Sequence, residues 1–143
     1  MNEIEFKKHF STAVNQFNRH HFFECHDTLE DLWMEIRTSE RLFFQGLLHV
    51  AVGFYHFENR NFKGCFSQLS KAKQKLSRFP DGYRGVGLTS LLTGASRIKN
   101  LAAAQLQRAQ AHSELVPFPQ LQWIPERFFD TTAVQANIKR IGA

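Results

Sequence analysis

Apolar residues return every three or four positions along most of this chain, and the interruptions divide it into helical segments. Phe6, Phe10, Ala13, Val14 and Phe17 predict an amphipathic helix over residues 3–18, closed by a tight turn at Asn18-Arg19-His20. Phe22, Cys25, Leu29, Leu32 and Ile36 predict a second helix ending near Arg37, after which Thr38-Ser39 offers an N-cap. The third segment, Leu42 to Phe57, holds sixteen residues without Asp, Glu, Lys or Arg and is apolar nearly all round. A helix of that kind is buried in a bundle or spans a membrane. It is shorter than the roughly 20 residues a bilayer requires, and Gln45, His49 and His56 would be costly in lipid, so it reads as the central helix of a bundle with no membrane span.

A turn at Glu58-Asn59-Arg60-Asn61 leads to a fourth helix marked by Phe62, Cys65, Phe66, Leu69, Ala72, Leu76 and Phe79, stopped by Pro80-Asp81-Gly82. Leu88, Leu91, Leu92, Ala95, Ile98, Leu101, Ala102 and Leu106 predict a fifth helix to about Ala111. From Ser113 onward Pro117, Pro119 and Pro125 forbid a long helix, while Phe118, Leu121, Trp123, Ile124, Phe128 and Phe129 imply a tail laid across the bundle, with a short last helix over 131–141. The expected fold is therefore all-α, a bundle of about five helices. Residues 1–112 form the bundle domain and 113–143 an irregular, ordered tail on the same domain.

The pattern also repeats at an offset of 40. Phe17, Phe22, Cys25 and Leu29 return as Phe57, Phe62, Cys65 and Leu69, so two helical hairpins, 3–37 and 39–79, look like copies of one unit.

Charge divides differently. Residues 1–58 carry nine acids and five bases, whereas residues 59–143 carry four acids and thirteen bases. Between Glu58 and Asp81 lie six bases and no acid, but Lys71, Lys73 and Lys75 spread around a helix, and Phe62, Phe66 and Phe79 belong to the apolar stripe. A specific nucleic-acid partner is not expected, since stacking needs exposed aromatics beside aligned bases. Cys25 and Cys65 fall inside apolar stretches and read as buried thiols, and the N-terminus has no secretory signal, which together place the chain in the cytoplasm.

The candidate chemistry lies on the second and third helices. His26, Glu30 and Trp33 share one face within about 60°, with Asp27 about 100° away. Gln45, His49 and His56 share a face of the third helix, beside Gly46 and Gly53. If the helices pack antiparallel across those glycines, His26 and Glu30 meet His49, with Trp33 as a wall. Three readings stand for that group: a hydrogen-bonded network that fixes helix register, a small-molecule pocket, and a metal site of His26, Glu30 and His49. No cofactor is favoured, and no phosphate loop or nucleophile elbow is present.

Phe17-Asn18-x-x-x-Phe22-Phe23-Glu24-Cys25-His26-Asp27-x-Leu29-Glu30-x-x-Trp33, with Gln45-Gly46-Leu47 beyond it, resembles the domain-of-unknown-function family 309 over roughly residues 10–92. The resemblance implies a compact helical bundle with a His-Glu-x-x-Glu-x-x-Trp signature, and no particular reaction. Asp27 stands where the family usually has Glu. His20 stands where a turn glycine is usual, which predicts a left-handed backbone there. The functional expectation is a small-ligand-binding or scaffold domain, with His26, Asp27, Glu30, Trp33, Gln45, His49 and His56 as its site. The alternatives are a hydrolase using Glu30 as general base with His26 and His49, and a helical adaptor for a protein partner.

Overall fold

The computed structural model describes residues 1–108 and 117–131. Five helices follow one another: α1 (Glu3–Asn18), α2 (Phe22–Met34), α3 (Arg41–Glu58), α4 (Phe62–Leu76) and α5 (Leu88–Arg108). The fold is all-α, as the periodicity predicted. No helix among the described residues is long and apolar enough to cross a membrane.

Each helix begins and ends for local reasons. Asn2 caps α1 by accepting from Glu5 N at 2.8 Å, and Glu3 and Glu5 lie in the first turn, where the helix dipole favours acids. Asn61 caps α4 by accepting from Gly64 N at 2.9 Å. The turns closing α1 and α3 share one construction. His20, at φ 63°, follows α1, with His21 N donating to Gln16 O and His20 N to Phe17 O. Arg60, at φ 60°, follows α3, with Asn61 N donating to His56 O and Arg60 N to Phe57 O. Both are left-handed caps with paired bonds back into the last helical turn, and the 40-residue offset holds at every atom named.

Three boundaries differ from the sequence reading. The hydroxyls of Thr38 and Ser39 do not cap α3; instead their carbonyls accept from Arg41 N and Leu42 N, and Glu40 precedes the helix in α-helical geometry. α2 stops at Met34, where Glu35 N and Ile36 N bond three residues back to Leu32 O and Trp33 O and tighten the last turn. α4 stops at Leu76, although Phe79 remains buried beyond it. The expected extension of α5 to Ala111 and the helix over 131–141 fall outside the described residues.

α3 is the central element, burying Phe43, Phe44, Leu47, Val50, Ala51, Phe54 and Phe57 and packing against both α2 and α4. Its glycines meet α4. A Cβ on Gly46 would stand 2.5 Å from Leu76 Cγ, and one on Gly53 would stand 2.6 Å from Leu69 Cδ2. That close approach is what the glycines supply.

Residues 117–131 run along the bundle beside α1, from Asn18 past Phe10 to Phe6. Leu121 exchanges hydrogen bonds with the Asn18 side chain at 2.7 and 3.2 Å, and Phe118 packs on Phe22, Phe54 and Phe57. Ile124 and Phe129 are each 50 % exposed, against the expectation that the apolar tail residues all lie on the bundle. Phe66 also leaves the apolar stripe and lies 39 % exposed, under the Lys99 ammonium.

One side chain ties the Phe6 end of the bundle together. Arg84, itself left-handed at φ 50°, donates from Nη2 to Glu40 Oε1 at 2.8 Å and from Nη1 to Phe128 O at 3.0 Å. Its guanidinium lies over the rings of Phe6, Phe44 and Phe128, and Tyr83 donates its hydroxyl to the same Glu40. Glu40 lies in the link between the hairpins, so this pair joins both hairpins to the tail.

Candidate functional site

The inward face of α2 is filled by Phe22, Cys25, Leu29 and Leu32, which leaves Phe23, His26, Asp27 and Glu30 on its outer flank. His26 Nδ1 lies 3.2 Å from Asp27 Oδ1 and His26 Nε2 lies 3.4 Å from Glu30 Oε2. The His26 side chain is 28 % exposed, Glu30 44 % and Asp27 63 %, so these three form a half-exposed group rather than a buried one. Although Asp27 is near, Nδ1 of His26 is buried and makes no hydrogen bond, because the carboxylate stands off the donor line. One ligand atom from each of His26, Asp27 and Glu30 lies within 4.8 Å of the others.

His26 lines a cleft of about 140 Å³ between α2 and α3, together with Phe22, Phe23, Val52, Tyr55 and His56. Buried Phe22 forms its base. Phe23 and Tyr55, with ring centroids 5.4 Å apart, form its exposed rim. The Phe23 and His26 rings are 5.9 Å apart, as are those of Tyr55 and His56, so four rings succeed one another around the opening. Asn61 Nδ2 donates to His56 Nδ1 at 3.3 Å, which leaves the proton of a neutral His56 on Nε2.

The other sequence-predicted residues are elsewhere. His49 does not face His26. Its Nδ1 lies 2.7 Å from Gln68 Oε1 and its Nε2 lies 2.8 Å from Lys75 Nζ, both on α4. The cause is the glycine face, which the sequence reading assigned to α2. Gly46 and Gly53 admit α4, and His49 stands only about 40–60° round the helix from them, so it reaches α4 as well. The metal set of His26, Glu30 and His49 therefore does not assemble, and the hydrolase built on the same three residues loses its geometric basis. Burial lowers the His49 pKa from its ordinary value, the Gln68 bond opposes that shift, and the charges of Lys75 and Lys71 add to the lowering. Gln45 is half-buried on the His49 flank of α3. Trp33 is half-buried against the core under the Arg41 guanidinium, 4.6 Å from its ring, and does not line the cleft.

The cleft thus unites His26 and His56 from the predicted set and adds Phe23, Val52 and Tyr55, which the sequence reading missed. A signal for two of them existed. Phe23 and Tyr55 are large aromatics just off the core stripes of adjacent helices, and a patch formed by such residues, unlike one exposed side chain, marks a binding position.

The class defined by this geometry is a small all-helical bundle with an aromatic and histidine-lined cleft between its second and third helices. Residues 10–67 match the family described as Domain of unknown function (DUF309). The match takes in α2 and α3 and ends in α4, so the stretch 68–92, which the resemblance also covered, lies beyond it. An uncharacterized protein of Aquifex aeolicus (strain VF5) is 25 % identical over 77 residues, which cover 53 % of this chain and 23 % of that relative. The chain therefore spans less than a quarter of the length of this relative.

Proposed function

We propose that the chain is a binding domain for a small organic cation, held in the cleft between α2 and α3. One arrangement carries the reading: the ring sequence Phe23, His26, Tyr55 and His56 around an opening of about 140 Å³, with the Glu30 carboxylate on the far side of His26. Aromatic faces attract cations by about 0.5–2 kcal/mol each, and aromatic cages are a known means of holding quaternary ammonium groups. The cleft is small enough to select a trimethylammonium-sized group, and Asp27 and Glu30 supply the attraction at longer range. Two free, buried cysteines, whose thiols burial pushes up to about 12, fit a reducing compartment such as the cytoplasm.

A second reading, a divalent metal on His26, Asp27 and Glu30, is favoured by the 4.8 Å grouping of their ligand atoms and by the unbonded Nδ1 of His26. Calorimetric titrations of the whole chain with choline, with its neutral isostere 3,3-dimethylbutanol and with zinc separate the two. Saturable heat with choline alone, lost in Tyr55→Ala and reduced in Glu30→Gln, is the expected result. Equal heats for choline and the neutral isostere would overturn the organic-cation reading. A flat choline trace beside saturable zinc binding that disappears in His26→Ala would replace it with the metal.

A further inference from the structure

The offset of 40 places His49 of α3 on the position that His9 holds in α1, and places Gln68, Lys71 and Lys75 of α4 on those of Thr28 and Asp31 in α2 and of Glu35 just after it. In the first hairpin His9 Nε2 meets Asp31 Oδ2 at 3.2 Å, an ordinary surface pair. In the second hairpin both acidic positions have become lysines. His49 there lies between an amide and an amine, 2.7 Å from Gln68 Oε1 and 2.8 Å from Lys75 Nζ. An amide oxygen only accepts, so Gln68 fixes the imidazole proton on Nδ1 and leaves the Nε2 lone pair directed at Lys75. An amine, a base within hydrogen-bond reach of it, and a third group orienting that base form the constellation of an activated nucleophile.

We propose that Lys75 is an acyl-acceptor site, modified by activated acyl donors of the thioester or acyl-phosphate class, with His49 as its general base and Gln68 as the positioning residue for that base. Lys75 first sheds one proton to water, exposing its lone pair. Nζ then attacks the carbonyl carbon and forms the N–C bond, while the C–S or C–O bond of the donor breaks and its electron pair leaves with the thiolate or phosphate. The second proton passes from Nζ to His49 Nε2 and from there to the leaving group or water.

The surroundings favour the first step. Burial and the neighbouring Lys71 charge both lower the Lys75 pKa. The groups set against Lys75 are His49 on α3 and Lys71 one turn away on α4. Neither α4 nor α5, which packs on another flank of α4, contains an Asp or Glu, and the acid of α3, Glu58, lies nine residues beyond His49. Two charged side chains of α5 have other contacts: Lys99 lies over Phe66 and Arg97 donates to Pro117 O.

The test incubates the whole chain with acetyl phosphate, and separately with acetyl-coenzyme A, at about pH 7.5, following acetylation of each lysine by peptide mass spectrometry. Lys75 is expected to react at least about a hundredfold faster than exposed Lys63 and Lys73, the lower end of what a positioned base provides. His49→Gln keeps an acceptor toward Nζ but cannot take a proton, so it should reduce Lys75 to the rate of those two lysines and leave them unchanged. Lys71→Gln should move the pH profile of Lys75 acetylation to higher pH, with the circular-dichroism melt of each variant confirming the fold. Reaction of Lys75 no faster than Lys63, or an unchanged Lys75 rate in a folded His49→Gln variant, overturns the proposal.

Discussion

The turn at His20 and the turn at Arg60 have the same left-handed residue and the same backbone bonds, yet the hairpins they close pack and present themselves differently. Where α1 has Phe6 and Ala13, α3 has Gly46 and Gly53, and Leu69 and Leu76 of α4 fill the space. Where the first hairpin sets His9 against Asp31, the second sets His49 against Gln68 and Lys75. An exposed pair such as His9–Asp31 is worth at most about 1 kcal/mol, so reversing its charge costs the fold little. The repeated apolar positions fix the backbone of each copy, while the outer positions are open to new chemistry. The proposed ligand cleft lies where α2 of one copy meets α3 of the other, so neither hairpin contains it alone.

The strongest way to break this comparison is to cut what joins the copies. Glu40→Ala removes the partner of a guanidinium that is 12 % exposed and leaves that charge over the rings of Phe6, Phe44 and Phe128. Loss of one member of a fully buried pair costs about 3–5 kcal/mol, and for this part-buried pair urea melts should show about 2–3 kcal/mol. A loss under about 1 kcal/mol would mean that the hairpins hold together without the Arg84 link. Gly53→Leu tests the close approach within the second copy. It drives a side chain into Leu69 and should cost about 2–4 kcal/mol, well beyond any propensity effect of removing a glycine. A change below about 0.5 kcal/mol would show that α3 and α4 yield at this crossing.

The smallest effect concerns pH. The folded-state pKa of His49 lies below its unfolded value, so the unfolded chain takes up the proton first as pH falls. The stability linked to His49 is fully present above the unfolded pKa, near 6.5, and is lost as pH falls below it. Melts between about pH 7.5 and 5 should show a shallower loss in His49→Gln than in the parent chain. Equal slopes would remove the asymmetry between the two hairpin histidines.

Much of the architecture was legible because it rests on local rules. Periodicity located the helices, the offset of 40 identified the repeated unit, and His20 in a glycine-like position announced the left-handed cap that Arg60 repeats. The site was legible only in part. His26 and His56 could be assigned to helix faces, but which neighbour each face of α3 meets is a tertiary choice. Gly46 and Gly53 looked like a groove for α2, and only the packing of Leu69 and Leu76 into them shows that α4 fills it. Rotating that assignment carries His49 to Lys75. The Glu40–Arg84 pair was invisible for a related reason: its members are 44 residues apart, in the link between the hairpins and in a turn, where no periodicity marks them.

A nuclear magnetic resonance titration of the whole chain with choline, following the aromatic ring resonances, tests the proposed cleft most directly. The rings of Phe23, His26, Tyr55 and His56 should shift together and saturate, while His9 and His49, the equivalent histidines of the two copies, stay in place. Saturable shifts at His49 or His9, or none at the four cleft rings, would contradict a cation site at the junction of the hairpins.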